Sequence, residues 1–158
     1  MGLMIMLEGN ECTFKSTIGK ILADKLNIPL EQGSSFEIAK KTRKDLFEYY
    51  TSRACRPGDI IYDRFMYSNR TYAQLYPGVS LLSLDQVEYI ENLIRENHTP
   101  LVVYCYGENR DLISRLSARG DKDVKVREIP IITRKFDQVI LTECMLPLMV
   151  FNCCVQTS

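Results

Sequence analysis

The sequence predicts a three-layer α/β domain built on a five-stranded, mostly parallel β-sheet. Short apolar runs alternate along the chain with stretches of helical periodicity, the order expected when crossover helices connect parallel strands. The runs are continuous rather than alternating in polarity, as in strands covered on both faces. The first run passes through a glycine into Lys15-Ser16-Thr17 at the start of a helical pattern. Such a strand–loop–helix unit suits anion binding at a helix N-terminus.

Leu3 to Leu7 is the first strand, and Ser16 to Leu26 the helix that follows, with Ile18, Ile21, Leu22 and Leu26 on one stripe. Asn27-Ile28-Pro29 ends that helix. Pro29 to Glu31 is a short second strand leading into the turn Gln32-Gly33-Ser34-Ser35. A single helix is expected from Phe36 to about Ser52, broken by Arg56-Pro57-Gly58. Asp59 to Asp63 is a third strand, and Ser68 to Leu75 a helix that runs as far as Tyr76-Pro77-Gly78. Ser83 and Gln86 form a capping box for a helix to about Glu96, with Leu84, Val87, Ile90 and Ile94 inward. His98 is then expected at the C-terminal end of that helix, in its dipole field. Pro100 introduces strand Leu101 to Cys105. Arg110 to Arg127 is a charged helix with the loop after it, Ile129 to Glu143 a helix, and Leu148 to Cys153 a terminal strand. No linker interrupts the order, so residues 1–158 are expected to form one domain.

The composition, 46% hydrophobic and 25% charged, is that of an ordinary globular protein. Lys plus Arg and Asp plus Glu both number 20. No overall basic field is available for nucleic acid, so any phosphate recognition has to be local. The stretch from Arg110 to Arg127 is interrupted by Asp111, Asp121 and Asp123 and has no interleaved aromatic platform, which argues against RNA. No apolar run approaches a membrane span and the N-terminus lacks signal-peptide features, so neither membrane nor export is expected. Six cysteines without a C-x-x-C pair, beside a single histidine, read as reduced thiols of a cytoplasmic protein.

The chemistry converges on the carboxyl ends of the strands, where ligands bind in open α/β sheets. The stretch Leu7 to Lys20 reads LEGNECTFKSTIGK, a phosphate-binding loop with Gly9 in place and Phe14 where the second glycine belongs. The amides of Thr13 to Ser16 would point at a β-phosphate, Lys15 would reach the β- and γ-phosphates, and the Ser16 hydroxyl would ligate Mg²⁺. A left-handed Phe14 would cost about 1–3 kcal/mol, while each charge-assisted hydrogen bond to a nucleotide returns roughly 1.5–3 kcal/mol. An altered but occupied loop is therefore expected, its phenyl ring turned away from the anion. Asp63 ends an apolar strand, where a carboxylate calls for a partner. It would hold Mg²⁺ through water or accept from Ser16, and Arg64 would fork two phosphate oxygens. The alternative is a capped helix with an exposed lysine beside a solvated Asp–Arg pair.

Glu8-Gly9-Asn10-Glu11 with Lys15-Ser16-Thr17 resembles the phosphate loop of thymidylate kinases. Glu31-Gln32-Gly33-Ser34 is similar to the segment after their second strand, and Asp63-Arg64-Phe65 with Ser68 and Tyr72 to their Asp-Arg-Tyr motif. Arg115-Leu116, Arg119-Gly120 and Asp123 resemble their arginine-bearing lid, here at about residues 115–127. The resemblance implies a P-loop kinase fold and transfer of the γ-phosphoryl group of ATP to a deoxynucleoside monophosphate, most simply dTMP. It implies ATP contacts at Gly9, Asn10, Thr13, Phe14, Lys15, Ser16, Thr17 and Arg115, with Mg²⁺ at Ser16 and Asp63. Lys15, Arg64, Arg119 and Glu11 would be catalytic, Arg119 closing with Arg115, Lys122 or Arg127 as a lid. The acceptor would meet Glu11 at its 3′-hydroxyl, Glu31, Arg43, Arg64, Phe65 and Tyr72. Arg43 is equally readable as a surface arginine. A homodimer through the Ser83–Glu96 helix is also implied, and the shortness of the chain fits a phage or viral member.

The sequence departs from that family at Cys12, Phe14 and Leu30, and stops after its last strand, where the family supplies an adenine-contacting loop and helix. Two other functions compete. One is a deoxynucleoside kinase with Glu31 as its base; the other is a catalytically inactive nucleotide-binding protein.

Overall fold

The structure, a computed structural model, describes residues 1–153. Strand β1 (Gly2–Glu8) leads into helix α1 (Lys15–Leu26), β2 (Leu30–Gln32), α2 (Phe36–Ala39), α3 (Arg43–Ala54) and β3 (Ile60–Asp63). Then follow α4 (Met66–Tyr72), α5 (Leu84–Asn97), β4 (His98–Tyr106), α6 (Asn109–Arg119), a 3₁₀ turn (Val126–Glu128), α7 (Ile129–Glu143) and β5 (Leu148–Asn152). The five strands form one sheet in the order β2-β3-β1-β4-β5, and every pairing is parallel.

Packing explains the continuous apolar runs. Met4 to Leu7 are buried because β1 lies between β3 and β4 and is covered on both faces. On one face, α1 lays Ile18, Leu22 and Ala23 against Ile5, Leu7, Ile61 and Val103. On the other, Leu46 and Tyr50 of α3, Met66 and Tyr67 of α4, Ile90 and Ile94 of α5 and Ile132 and Phe136 of α7 close a larger core. Helix α1 covers the β2-β3-β1 half of the sheet, and all five residues of the edge strand β5 remain exposed.

The structure differs from expectation in three places. The helix expected over residues 36–52 is broken, because the Ala39 carbonyl accepts from Ser80 N at 2.7 Å and the Lys41 carbonyl from the Ser80 hydroxyl at 2.5 Å. Thr42 then caps a new helix, accepting from Asp45 N at 3.1 Å. Strand β4 begins at His98, not after Pro100. Pro100 is tolerated because it precedes Val102, where pairing with β5 starts. His98 is both the C-cap of α5, its N–H donating to the Ile94 carbonyl, and the first residue of this strand, with its side chain buried. On α5, Leu84 faces out, 56% exposed, and not inward.

The register sets up the site. Leu7 and Asp63 are paired, as are Asp63 and Gln32, so the C-terminal ends of β1, β3 and β2 stand level and side by side.

Candidate functional site

The loop between β1 and α1 turns on Gly9, whose φ of 144° and whose approach to the Cys105 carbonyl, 2.2 Å from where a Cβ would sit, leave room for no side chain. Cys12 and Phe14 both adopt left-handed backbone, with φ of 60° and 62°. Each costs about 1–2 kcal/mol in a non-glycine residue, so the loop is held in shape by its surroundings. Asn10 supplies much of that support. Its buried amide donates to the Ile129 carbonyl at 2.9 Å and to the Thr133 hydroxyl at 2.8 Å, fastening the loop to α7. Its carbonyl accepts from the Thr13 hydroxyl at 2.9 Å.

Lys15 is buried inside this loop and donates to Thr13 Oγ1 at 2.9 Å and to the Asn10 carbonyl. Burial, together with the nearby Arg64 charge, depresses its pKa from 10.5 to about 8. The ammonium therefore sits short of anionic partners. Phe14 does not fill the loop. Its ring, 45% exposed, lies on the cleft wall with the Arg115 guanidinium 4.2 Å from its centroid. Arg115 also donates to the Cys12 carbonyl at 2.9 Å.

At the end of β3, Asp63 accepts from the Ser16 hydroxyl at 2.8 Å. Arg64 follows in left-handed backbone, φ 66°, held by its N–H on the Leu7 carbonyl at 2.8 Å. Its guanidinium donates to the Gly9 carbonyl at 2.8 Å and pairs with Glu11 at 3.4 Å. Gly33 permits this arrangement, because a Cβ there would lie 2.1 Å from the Arg64 carbonyl oxygen. Glu8, wholly buried, accepts from Phe65 N at 3.1 Å, Ser68 N at 3.0 Å and Ser68 Oγ at 2.5 Å. It thereby locks the turn that carries Asp63 and Arg64 onto the end of β1. Burial raises its pKa against those hydrogen bonds.

Two cavities meet here. The first, of ≈ 400 Å³, is lined by Cys12 and Phe14 of the β1–α1 loop, Lys15, Ser16, Thr17, Asp63, Arg115 and Arg119, and not by Gly9. The second, of ≈ 220 Å³, lies between Ser34, Phe36, Ser68, Asn69, Tyr72 and Lys122 and is mostly apolar. Glu11, Gln32 and Arg64 line both. Glu11 gathers the cations at this junction, pairing with Arg64 and with Arg119 at 3.6 Å while accepting from Tyr72 Oη at 3.2 Å. Burial works to raise its pKa, but Arg64, Lys15 and Arg119 hold it below the usual carboxylate value.

Not every residue expected at the site reaches it. Glu31 lines neither cavity; it points to the other side of β2 and pairs with Arg56 at 2.5 Å. Its strand neighbour Gln32 faces the cavities instead, since successive strand side chains alternate. Arg43, exposed at the start of α3, also lines neither. Phe65 is a core residue, its ring stacked 4.8 Å from Tyr62 and edge-on to Tyr50. Asn10 and Thr13 shape the loop from behind and do not line the cleft. In the segment expected to form a lid, Arg115 and Arg119 reach the first cavity and Lys122 the second, while Arg127 reaches neither. Sequence reasoning missed Glu8 as a clamp and Gln32 as a wall residue. A carboxylate ending the central apolar strand was the signal for Glu8, by the argument that found Asp63.

Among the described residues, no cluster of three or more His, Cys, Asp or Glu could hold a metal alone. The Ser16–Asp63 pair nonetheless offers hard oxygen donors on the cleft wall, which fits Mg²⁺ completed by water and phosphate oxygens. No helix among the described residues is long and apolar enough to cross a membrane.

No family model matches the chain. The chain is 36% identical over 137 residues to the SPbeta prophage-derived uncharacterized protein YorR of Bacillus subtilis (strain 168), covering 87% of this chain and 81% of that protein. The crystal structure of YorR in complex with phosphorylated GDP superposes with a TM-score of 0.84 at 34% identity, covering 95% of this chain and 85% of that one. Deoxyadenosine kinase from M. mycoides with bound dCTP superposes with a TM-score of 0.62 at 16% identity over 98% of this chain and 92% of that one, a likeness of fold. By its identity to YorR over most of both chains, this protein belongs to the YorR family.

Proposed function

We propose that this protein is a kinase that transfers the γ-phosphoryl group of a nucleoside triphosphate such as ATP to the 5′-hydroxyl of a deoxynucleoside. One observation carries the proposal: a cleft at the β1–α1 loop and a mostly apolar cavity share Glu11, Gln32 and Arg64 as wall residues. Phosphoryl transfer needs little covalent help; it needs two ligands in line and positive charge around the moving group. The arrangement supports both. Lys15 and the first amides of α1 would hold the donor phosphates. Arg64 and Arg119 would face the equatorial oxygens between donor and acceptor. When bound, Mg²⁺ would neutralise donor charge and be held by Ser16 and Asp63. Phe36 and Tyr72, edge to face at 5.4 Å, would pack on the acceptor's base and sugar.

The fold shared with deoxyadenosine kinase supports a nucleoside acceptor, and the phosphorylated GDP held by YorR supports a nucleotide ligand. A monophosphate acceptor such as dTMP is the second reading. It is favoured by the motifs resembling thymidylate kinases and by Lys122 on the wall of the acceptor cavity. The same proposal carries a homodimer through α5, where Leu84 and Tyr89 are exposed; sedimentation showing monomer alone at high concentration would refute it. Turnover of the four deoxynucleosides against their monophosphates, with ATP and Mg²⁺, tests the acceptor. The proposal expects at least one nucleoside to outpace its monophosphate. Phosphorylation of monophosphates alone would establish the second reading, and nucleotide binding without turnover of any acceptor would leave a binding protein.

A further inference from the structure

A neutral hydroxyl has to shed its proton as it attacks phosphorus, so the nucleoside reading requires a proton acceptor. Glu31, the sequence's nominee, is turned to the far side of β2 and paired with Arg56. Gln32 takes the facing position, and its amide cannot serve as a base. Asp63 lines only the donor cleft and is engaged by Ser16. Glu37 and Asp123 line only the acceptor cavity. Of the described residues on the wall common to both cavities, Glu11, Gln32 and Arg64, only Glu11 has an oxygen that can take a proton.

We infer that Glu11 is the proton acceptor for the hydroxyl that attacks the terminal phosphorus of the donor. The acceptor oxygen forms a bond to the γ-phosphorus as the bond from that phosphorus to the β–γ bridging oxygen breaks. The electron pair leaves with the nucleoside diphosphate, and the hydroxyl proton passes to the Glu11 carboxylate. The inference rests on the nucleoside reading, since a monophosphate dianion attacks without losing a proton.

The surroundings of Glu11 suit this task. The groups that face it are Arg64 from the β3–α4 turn, Tyr72 from α4, Arg119 from α6 and Lys15 from α1. They keep the carboxylate ionised at neutral pH, ready to accept. The contacts to Arg64 and Arg119, at 3.4 and 3.6 Å, are ion pairs longer than tight charge-assisted hydrogen bonds. Oxygens of a bound triphosphate would compete for those guanidiniums, and loosening their hold makes Glu11 more basic when a proton arrives. In a loose transition state the proton moves late, so a carboxylate suffices.

The test compares Glu11→Gln and Glu11→Asp with the unaltered protein, on a nucleoside and on its monophosphate, across pH. Thermal melting and ATP binding report folding. With the nucleoside, Glu11→Gln is expected to lose about 10²–10⁴-fold in kcat and to lose the acidic limb of the kcat–pH profile. Glu11→Asp is expected to retain that limb at a reduced rate, and gives the readout should the Gln variant fail to fold. With the monophosphate, whose attack sheds no proton, the fall in kcat of Glu11→Gln should be smaller than with the nucleoside. Nucleoside turnover by Glu11→Gln within about threefold of the unaltered protein would overturn the inference. So would an acidic limb that survives in Glu11→Gln, one that is lost in Glu11→Asp, or an equal fall with both acceptors. Failure of the unaltered protein to phosphorylate any nucleoside overturns instead the acceptor reading, and shows before any variant is compared.

Discussion

Replacing Lys15 by methionine should make the ligand-free protein more stable while removing its proposed activity. Lys15 is 6% exposed and held by Asn10 and Thr13 oxygens, neither of them charged. Burial and Arg64 push its pKa from 10.5 to about 8, a difference that amounts to about 3 kcal/mol against the ammonium at neutral pH. Methionine matches the length of the side chain and leaves no charge. It also withdraws a donor from Thr13 Oγ1 and the Asn10 carbonyl, at a cost of about 1 kcal/mol, because Thr13 still donates to that carbonyl. The net gain is about 2 kcal/mol, or roughly 4–8 °C in melting temperature for a chain of this size. Folding depresses this pKa, so between pH 8 and 10.5 the unfolded chain holds the proton that the folded chain has released. The unaltered protein should therefore gain stability as pH rises through that window. Lys15→Met should lack that rise. Thermal melts of both proteins at pH 7 and pH 10 measure the effect. A melting temperature at pH 7 that falls on substitution would refute the reasoning, as would equal pH dependence of the two proteins.

Other residues give sharper losses. Gly33→Ala places a Cβ 2.1 Å from the Arg64 carbonyl; chemical denaturation should show a loss of about 2–3 kcal/mol and turnover should fall with it. Glu8→Ala strands the buried amides of Phe65 and Ser68 and should cost about 3–5 kcal/mol by the same measurement. Glu31→Ala removes an exposed ion pair with Arg56 and should alter stability by less than about 1 kcal/mol and leave kcat unchanged, in contrast to any account that makes Glu31 the base. Asp63→Asn should weaken Mg²⁺-dependent ATP binding by about tenfold or more in calorimetry, with little effect on binding in the absence of the metal.

The parallel sheet and the loop between β1 and α1 were legible because their signals are local. Continuous apolar runs mark strands buried on two faces, and Lys15-Ser16-Thr17 after Gly9 marks the start of a helix. The pairing of Ser16 with Asp63 was likewise foreseeable, since a carboxylate ending an apolar strand needs a partner nearby. What stayed hidden depends on distant residues. A three-residue strand such as β2 is too short for its own pattern to say whether Glu31 or Gln32 faces the cavities; the pairing with β3 decides it. The break between α2 and α3 is made by Ser80, some forty residues further along, taking carbonyls the helix would have used. The strand from His98 runs through Pro100 because β5 starts later, at a register no local window contains.

The central claim is that the two cavities that share Glu11, Gln32 and Arg64 bring a donor phosphate and an acceptor hydroxyl together. Incubating the protein with ATP labelled at its γ-phosphorus, Mg²⁺ and a mixture of deoxynucleosides tests it most directly. Label is expected on a nucleoside 5′-oxygen and is expected to be abolished in Lys15→Met. Label that stays on ATP, or appears only as inorganic phosphate, would contradict it.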